Sequence, residues 1–160
     1  MANFYPVLPT ALHAALHPKI SSVAFIHAPQ VVGVGGSDLV HWLLSGAGPT
    51  AVMIDCFAFE NDGDDPDTRA VYEASTLLDD MVQYIICPDV MCDADKTLQL
   101  LHQHGPALAG RGYLVIVPHG RDYHEWMQCA ERMIDATHQY GLRPTIGVPR
   151  YTDEYSCTRE

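Results

Sequence analysis

Five short apolar runs alternate along this chain with segments whose apolar positions recur every three or four residues. The runs are Ser22–His27 (SVAFIH), Thr50–Cys56 (TAVMIDC), Met81–Cys87 (MVQYIIC), Gly112–Val117 (GYLVIV) and Thr145–Val148 (TIGV). Their length and β-branched content predict buried strands. The intervening segments predict helices with one apolar face. The first starts at Ser37 and turns Leu39, Val40, Leu43 and Leu44 inward, with Gly46 as its stop. The second is capped by Asp65 with Pro66 and runs to about Leu78, burying Ala70, Val71, Ala74, Leu77 and Leu78. The third covers about Asp93–His104 with Asp93 as cap and Ala94, Leu98, Leu101 and His102 on one face; Pro106 predicts a separate last turn. The fourth opens on a capping box of Asp122 and Glu125, carries a stripe of Trp126, Ala130, Met133, Ile134 and Thr137, and ends at Gly141. Between the first strand and the first helix, Gln30–Gly36 (QVVGVGG) lacks the spacing of a dinucleotide loop and the lysine of a Walker loop. It predicts a tight turn.

Strand and helix in regular alternation predict an α/β fold with a parallel sheet and right-handed crossovers. A partial or distorted (β/α) TIM-like barrel of about five parallel βα units satisfies the pattern, as does an open doubly wound sheet; a complete barrel takes ~250 residues. Residues 1–160 read as one α/β domain. Residues 1–22 form an N-terminal extension with a short helix, Ala11–Leu16, capped by Thr10, and residues 151–160 form a polar tail.

Charge narrows the partners. Twenty acidic residues stand against nine basic ones, for a net charge of −11, and no Lys/Arg run gathers the positive charge. Such a chain repels nucleic acid on its own. Apolar residues make up 48% of the chain, enough for a sizeable core. No apolar run approaches a membrane span and no signal peptide is legible, so the expected compartment is the cytoplasm. The five cysteines (Cys56, Cys87, Cys92, Cys129 and Cys157) are odd in number and suggest no disulfide framework. Cys87 and Cys92 are spaced C-x4-C with no second pair to complete a zinc site, so no metal and no cofactor is expected.

The candidate chemistry sits where the strands end. Asp55 closes the second run, Pro88-Asp89 follows the third, His119-Gly120 follows the fourth, and Gly147 with Arg150 closes the fifth. Parallel α/β folds place their ligands at this C-terminal rim. Turns favour Asp, Gly and Pro for purely local reasons. Two aspartates at the ends of buried strands, with no basic residue beside them in sequence, call for more than that. Carboxylates at such a rim can accept hydrogen bonds from the N–H edge of a planar base, or act as general acids and bases once burial raises their pKa.

The order MIDCFAFE, YIICPDVMCDADKTLQLL, GYLVIVPHGR and TIGVPR resembles the tRNA-guanine transglycosylase superfamily. It is most similar to the shorter phage and bacterial branch linked to 7-deazaguanine modification of DNA. The resemblance spans about residues 51–150, and P-D-V…D-A-x-x-T is its most specific part. It implies a (β/α) barrel and a pentosyltransferase that exchanges guanine for a 7-deazaguanine in tRNA or DNA through a covalent enzyme–sugar intermediate. It implies a catalytic role for Asp55, near the base and sugar. It implies that Asp89 reads the guanine-like edge, that His119 and Gly120 contact the base carbonyl, and that Gly147 makes a backbone contact under the base. The chain departs from the family pattern at Phe57, where the motif has glycine, and at His119, where glutamine is usual. The family's nucleophilic aspartate and zinc site belong to later strands than this chain contains.

Two other readings use the same residues differently. In one, the chain is a catalytically silent base- or nucleoside-binding module, or a subunit completed by a partner chain. In the other, the acidic surface is only solvated and no shared pocket exists. A sheet of five units leaves edge strands and apolar faces to cover, which predicts a homodimer or a partner subunit.

Overall fold

The computed structural model describes residues 23–46, 48–56 and 67–148. The N-terminal extension, the 57–66 segment with Phe57, and the tail with Arg150 lie outside the described residues. The elements in chain order are β1 (Val23–His27), α1 (Ala28–Val32), α2 (Gly36–Leu44), β2 (Ala51–Asp55), α3 (Thr68–Leu78), a 3-10 turn (Asp79–Met81), β3 (Val82–Ile86), α4 (Ala94–Ala109), β4 (Tyr113–Ile116), α5 (Tyr123–Gln139) and β5 (Thr145–Ile146). All strand pairs are parallel, and the five strands lie side by side in chain order. All five strands expected from the sequence are present, each one or two residues shorter.

Alternation along the strands divides the sheet into two faces. Ala24 and Ile26, Val52 and Ile54, Val82 and Ile85, and Leu114 and Ile116 join the helices in one core cluster. From the helices come Leu39 and Leu43, Val71 and Leu78, Leu101 and Leu108, and Met133. Val82 and Ile85 are three residues apart, which breaks period two. The ladder accommodates this by a register shift at Val52/Met53, where Val52 pairs with Val82 and Met53 with Tyr84. The other face carries Phe25 and His27, Met53 and Asp55, Tyr84 and Ile86, and Tyr113 and Val115. The pairs His27↔Asp55, Tyr84↔Tyr113 and Ile86↔Val115 are in register on it.

Several helix boundaries differ from the sequence expectation. Ala28–Val32 is a helical turn with Pro29 in its first turn, and the tight turn follows it at 33–36, with Gly35 at φ 82°. A side chain on Gly36 would strike the Val31 carbonyl oxygen at 2.0 Å, so this helix start must be glycine. Gly35, not Ser37, is the N-cap of α2. In α3 the cap is Asp67, whose carboxylate accepts from the Ala70 N–H at 3.0 Å, and not Asp65. Leu44 and Leu77, expected inward, are exposed.

The largest difference is at Pro106. Helix α4 runs through it to Ala109. Proline deprives only the His102 carbonyl of its donor, and His102 faces solvent, where water can serve. Gly105, buried against Leu101 and Leu114, keeps the last turns close to β4. The cysteines also depart from expectation: Cys92 is disulfide-bonded, while Cys56, Cys87 and Cys129 are buried thiols outside any disulfide. Among the described residues no helix is long and apolar enough to cross a membrane.

Candidate functional site

The C-terminal ends of β1 to β4 bring two histidine–aspartate pairs together. His27 is the last residue of β1 and Asp55 the last of β2, in register as neighbours. Their side chains approach to 3.3 Å between His27 Nδ1 and Asp55 Oδ2. Asp89 lies three residues past β3 and His119 three past β4; His119 Nε2 and Asp89 Oδ2 are 2.5 Å apart. Asp89 Oδ1 faces the Cys56 thiol, which donates to it at 3.9 Å. One ligand-type atom from each of Asp55, Cys56 and Asp89 falls within 4.8 Å of the others. The aspartates are only 18% and 14% exposed in their side chains, and the histidines 7% and 9%.

Local chemistry holds each member in place. The Cys87 N–H continues the ladder onto the Val115 carbonyl, which fixes the exit from β3. Pro88 then blocks further pairing, and the chain turns outward at Asp89. Thr97, fully buried in α4, grips this turn: its hydroxyl accepts from the Val90 N–H at 2.9 Å and donates to the Val90 carbonyl at 3.1 Å. Asp93 caps α4, as the sequence predicts, by accepting from the Lys96 N–H. Cys92, at φ 64°, makes the reversal between them. On the next loop the His119 backbone is hydrogen-bonded to the Cys129 sulfur of α5. Gly120 passes so close to α5 that a Cβ would sit 2.3 Å from the Trp126 nitrogen. Asp122 caps α5 through the Glu125 N–H, but Glu125 answers to the Arg121 N–H and guanidinium instead of the cap residue's N–H. The expected capping box is thus displaced by one residue and clamps the loop that carries His119.

Electrostatics set the pair apart. Burial pushes the Asp89 carboxyl above its ordinary range; the bond from His119 opposes this, and the nearby Asp55 charge adds to it. Bonded as they are, Asp89 and His119 share one proton: either Nε2–H donates to carboxylate, or the carboxyl O–H donates to imidazole. Such a couple can deliver or take a proton at the rim. The arginine ion pairs form elsewhere, to Glu73, Glu125 and Asp95. Burial raises the Cys87 thiol well above its ordinary pKa, with Asp89 adding to the effect, so Cys87 is an inert core residue. With Cys92 oxidised, the C-x4-C spacing carries no metal chemistry.

Of the five residues singled out in the sequence, Asp55, Asp89 and His119 meet in this cluster, and Gly120 adjoins it. Gly147 stands apart. It lies against Val115 and Val117 and gives its N–H to the Ile116 carbonyl, so only its carbonyl is left for a ligand. Sequence reasoning missed His27 and Cys56. The signal for His27 was present, since SVAFIH ends in a polar residue as TAVMIDC does. A cleft of about 600 Å³ lies at the opposite rim of the sheet, lined by Thr50, Met81, Gln83, Gly112 and Tyr113 and remote from both pairs.

No family model matches the chain, and neither a curated protein nor a solved structure matches it.

Proposed function

We propose that the chain binds guanine or a 7-deazaguanine base at the C-terminal rim, as a protein of the guanine-transglycosylase type. The observation that carries this reading is the meeting of Asp55, Asp89 and His119. Three separate segments of the resemblance assign these residues to one base pocket, and they share one buried cluster. Strand order supports the fold that goes with it. Doubly wound sheets reverse their strand order and carry helices on both faces, whereas a sheet in chain order with its helices in one core cluster has the connectivity of a (β/α) barrel arc.

In this reading Asp89 reads the base. A carboxylate has about four lone-pair positions, so Asp89 can accept from His119 and from an N1–H and exocyclic amine at once. His119 stands in for the usual glutamine and holds Asp89 in place by its hydrogen bond. Asp55, with the His27 ring 3.3 Å away, takes the proton-transfer role beside the base in this reading. Exchange of the base in tRNA or DNA is the activity this implies, in the cytoplasm. The runner-up is a silent base-binding module or a subunit. The net charge of −11 favours it, because a nucleic acid would need a basic surface supplied by a partner or a second copy.

Calorimetric titration of guanine, preQ0 and preQ1 tests the reading. Asp89→Asn places an NH2 donor against a donor of the base and should weaken binding at least about tenfold. His119→Gln, the residue usual in the family, should keep binding within a few-fold. Asp93→Asn should leave it unchanged, since Asn caps as well as Asp. Absence of heat with wild-type protein at millimolar ligand overturns the reading. Equal weakening by both aspartate variants assigns Asp89 to the fold instead.

A further inference from the structure

We propose that Asp55, Cys56 and Asp89 form a binding site for a divalent transition-metal ion of the zinc class. Three donors from two strand ends converge there, with one ligand atom from each within 4.8 Å of the others. In a tetrahedral zinc site, bond lengths of about 2.0–2.3 Å separate neighbouring ligand atoms by about 3.3–3.8 Å. The Cys56 Sγ to Asp89 Oδ1 distance of 3.9 Å is already close to this. The remaining approach is of the order of an ångström, within the reach of side-chain rotation at two aspartates.

The composition of the set decides the kind of ion. Two carboxylates alone would suit magnesium or calcium, which take only oxygen ligands. A thiolate among them selects a softer ion such as Zn2+ or Co2+. Two like-charged carboxylates held side by side in a mostly buried place repel each other, and a divalent cation between them turns that repulsion into coordination. The division of labour on Asp89 fits the same picture. Oδ1 faces Cys56, and Oδ2 is held by His119 on the far side. His27 Nδ1 lies 3.3 Å from Asp55 Oδ2 without forming a hydrogen bond to it, so the outer bond is made at Asp89. Ligating carboxylates held in this way by outer hydrogen bonds are the usual support of a metal centre. Three protein ligands would leave one position for water or a ligand oxygen, the arrangement of reactive zinc sites. This inference stands on the cluster alone and does not require the base reading.

The experiment uses the whole purified chain, stripped of metal by dialysis against a chelator and kept under a non-thiol reductant. Co2+ should bind with one equivalent and produce a near-ultraviolet thiolate-to-cobalt charge-transfer band, which Zn2+ abolishes by displacement. Cys56→Ser should remove the band. Asp55→Asn and Asp89→Asn should each weaken Zn2+ binding at least about tenfold in calorimetry, about 1.4 kcal/mol. Cys129→Ala, a buried thiol outside the cluster, should keep the band. Circular dichroism identifies any variant that has lost its fold, and the isosteric aspartate variants then decide. The proposal is overturned if wild type shows neither band nor Zn2+ heat at sub-millimolar metal. It is also overturned if the band survives Cys56→Ser, if both aspartate variants bind as wild type, or if Mg2+ binds as tightly as Zn2+.

Discussion

Thr97 shows how much of the candidate site depends on one hydroxyl away from it. Its oxygen serves both backbone groups of Val90, next to Asp89, from a fully buried position. Thr97→Val keeps the shape and leaves the Val90 N–H without its partner, while the Val90 carbonyl keeps its bond from the Asp93 N–H at 3.1 Å. Losing the partner of one such group costs about 1–3 kcal/mol. Urea denaturation should therefore show a loss of about 1–3 kcal/mol, and any ligand that uses Asp89 should bind more weakly to the folded variant. An unchanged midpoint would mean that water replaces the hydroxyl at no cost. At this scale the sequence was legible where a residue type and its position agree. An aspartate after a buried strand and a proline, and another closing a strand, were enough to find Asp89 and Asp55. Cys56 was not legible, because a thiol beside an apolar run is more often core than chemistry, and only the fold brings it to Asp89. Thr97 was legible only as the last residue of the D-A-x-x-T segment; its role depends on a loop that doubles back from seven residues away.

Among the elements, the start of α5 controls the loop that presents His119. Arg121 and Glu125 form an exposed ion pair one turn apart, and Glu125 also accepts from the Arg121 N–H. These bonds hold the Glu125 carboxyl down at about 2, below its ordinary 4.5. A depressed carboxyl contributes stability that is complete above its unfolded pKa. That contribution fades as pH falls from about 4.5 through about 2. A pH titration followed by NMR should find the Glu125 side chain ionised well below pH 4, and high salt should move its midpoint upward, since exposed pairs are screened. Glu125→Gln should remove the acid-side loss assigned to this residue; an ordinary carboxyl midpoint in the wild type would show that the clamp is not formed in solution. Element existence was legible throughout from periodicity, while several starts were not. Asp65-Pro66 and Asp67 are equally good cap signals by residue type, and Asp67 is the one whose carboxylate takes the Ala70 N–H. Pro106 argued for a break, and packing of Gly105 on Leu101 and Leu114 overrode it.

For the molecule as a whole, the sheet has two outer strands. Among the described residues β1 and β5 each have one hydrogen-bonded neighbour. Ile146 and Val148 on the β5 side are exposed, as is Tyr113 on β4. Such an edge invites a second chain. Sedimentation velocity at micromolar concentration should show a species of two-chain mass, and a single-chain species would remove the expected dimer. Parallel pairing was legible from the regular alternation of units; the choice between a barrel arc and an open sheet was not, because nothing in a sequence's periodicity distinguishes them. The order of the strands has one more consequence, for how the chain comes to be folded. Every strand lies beside its immediate predecessor and successor, so none must wait for a distant segment to be synthesised. The sheet can grow by accretion from the first unit onward, each new strand finding its template already laid down. By the same logic the two-residue last strand, the final piece added, is the one that can detach and return while the rest stands.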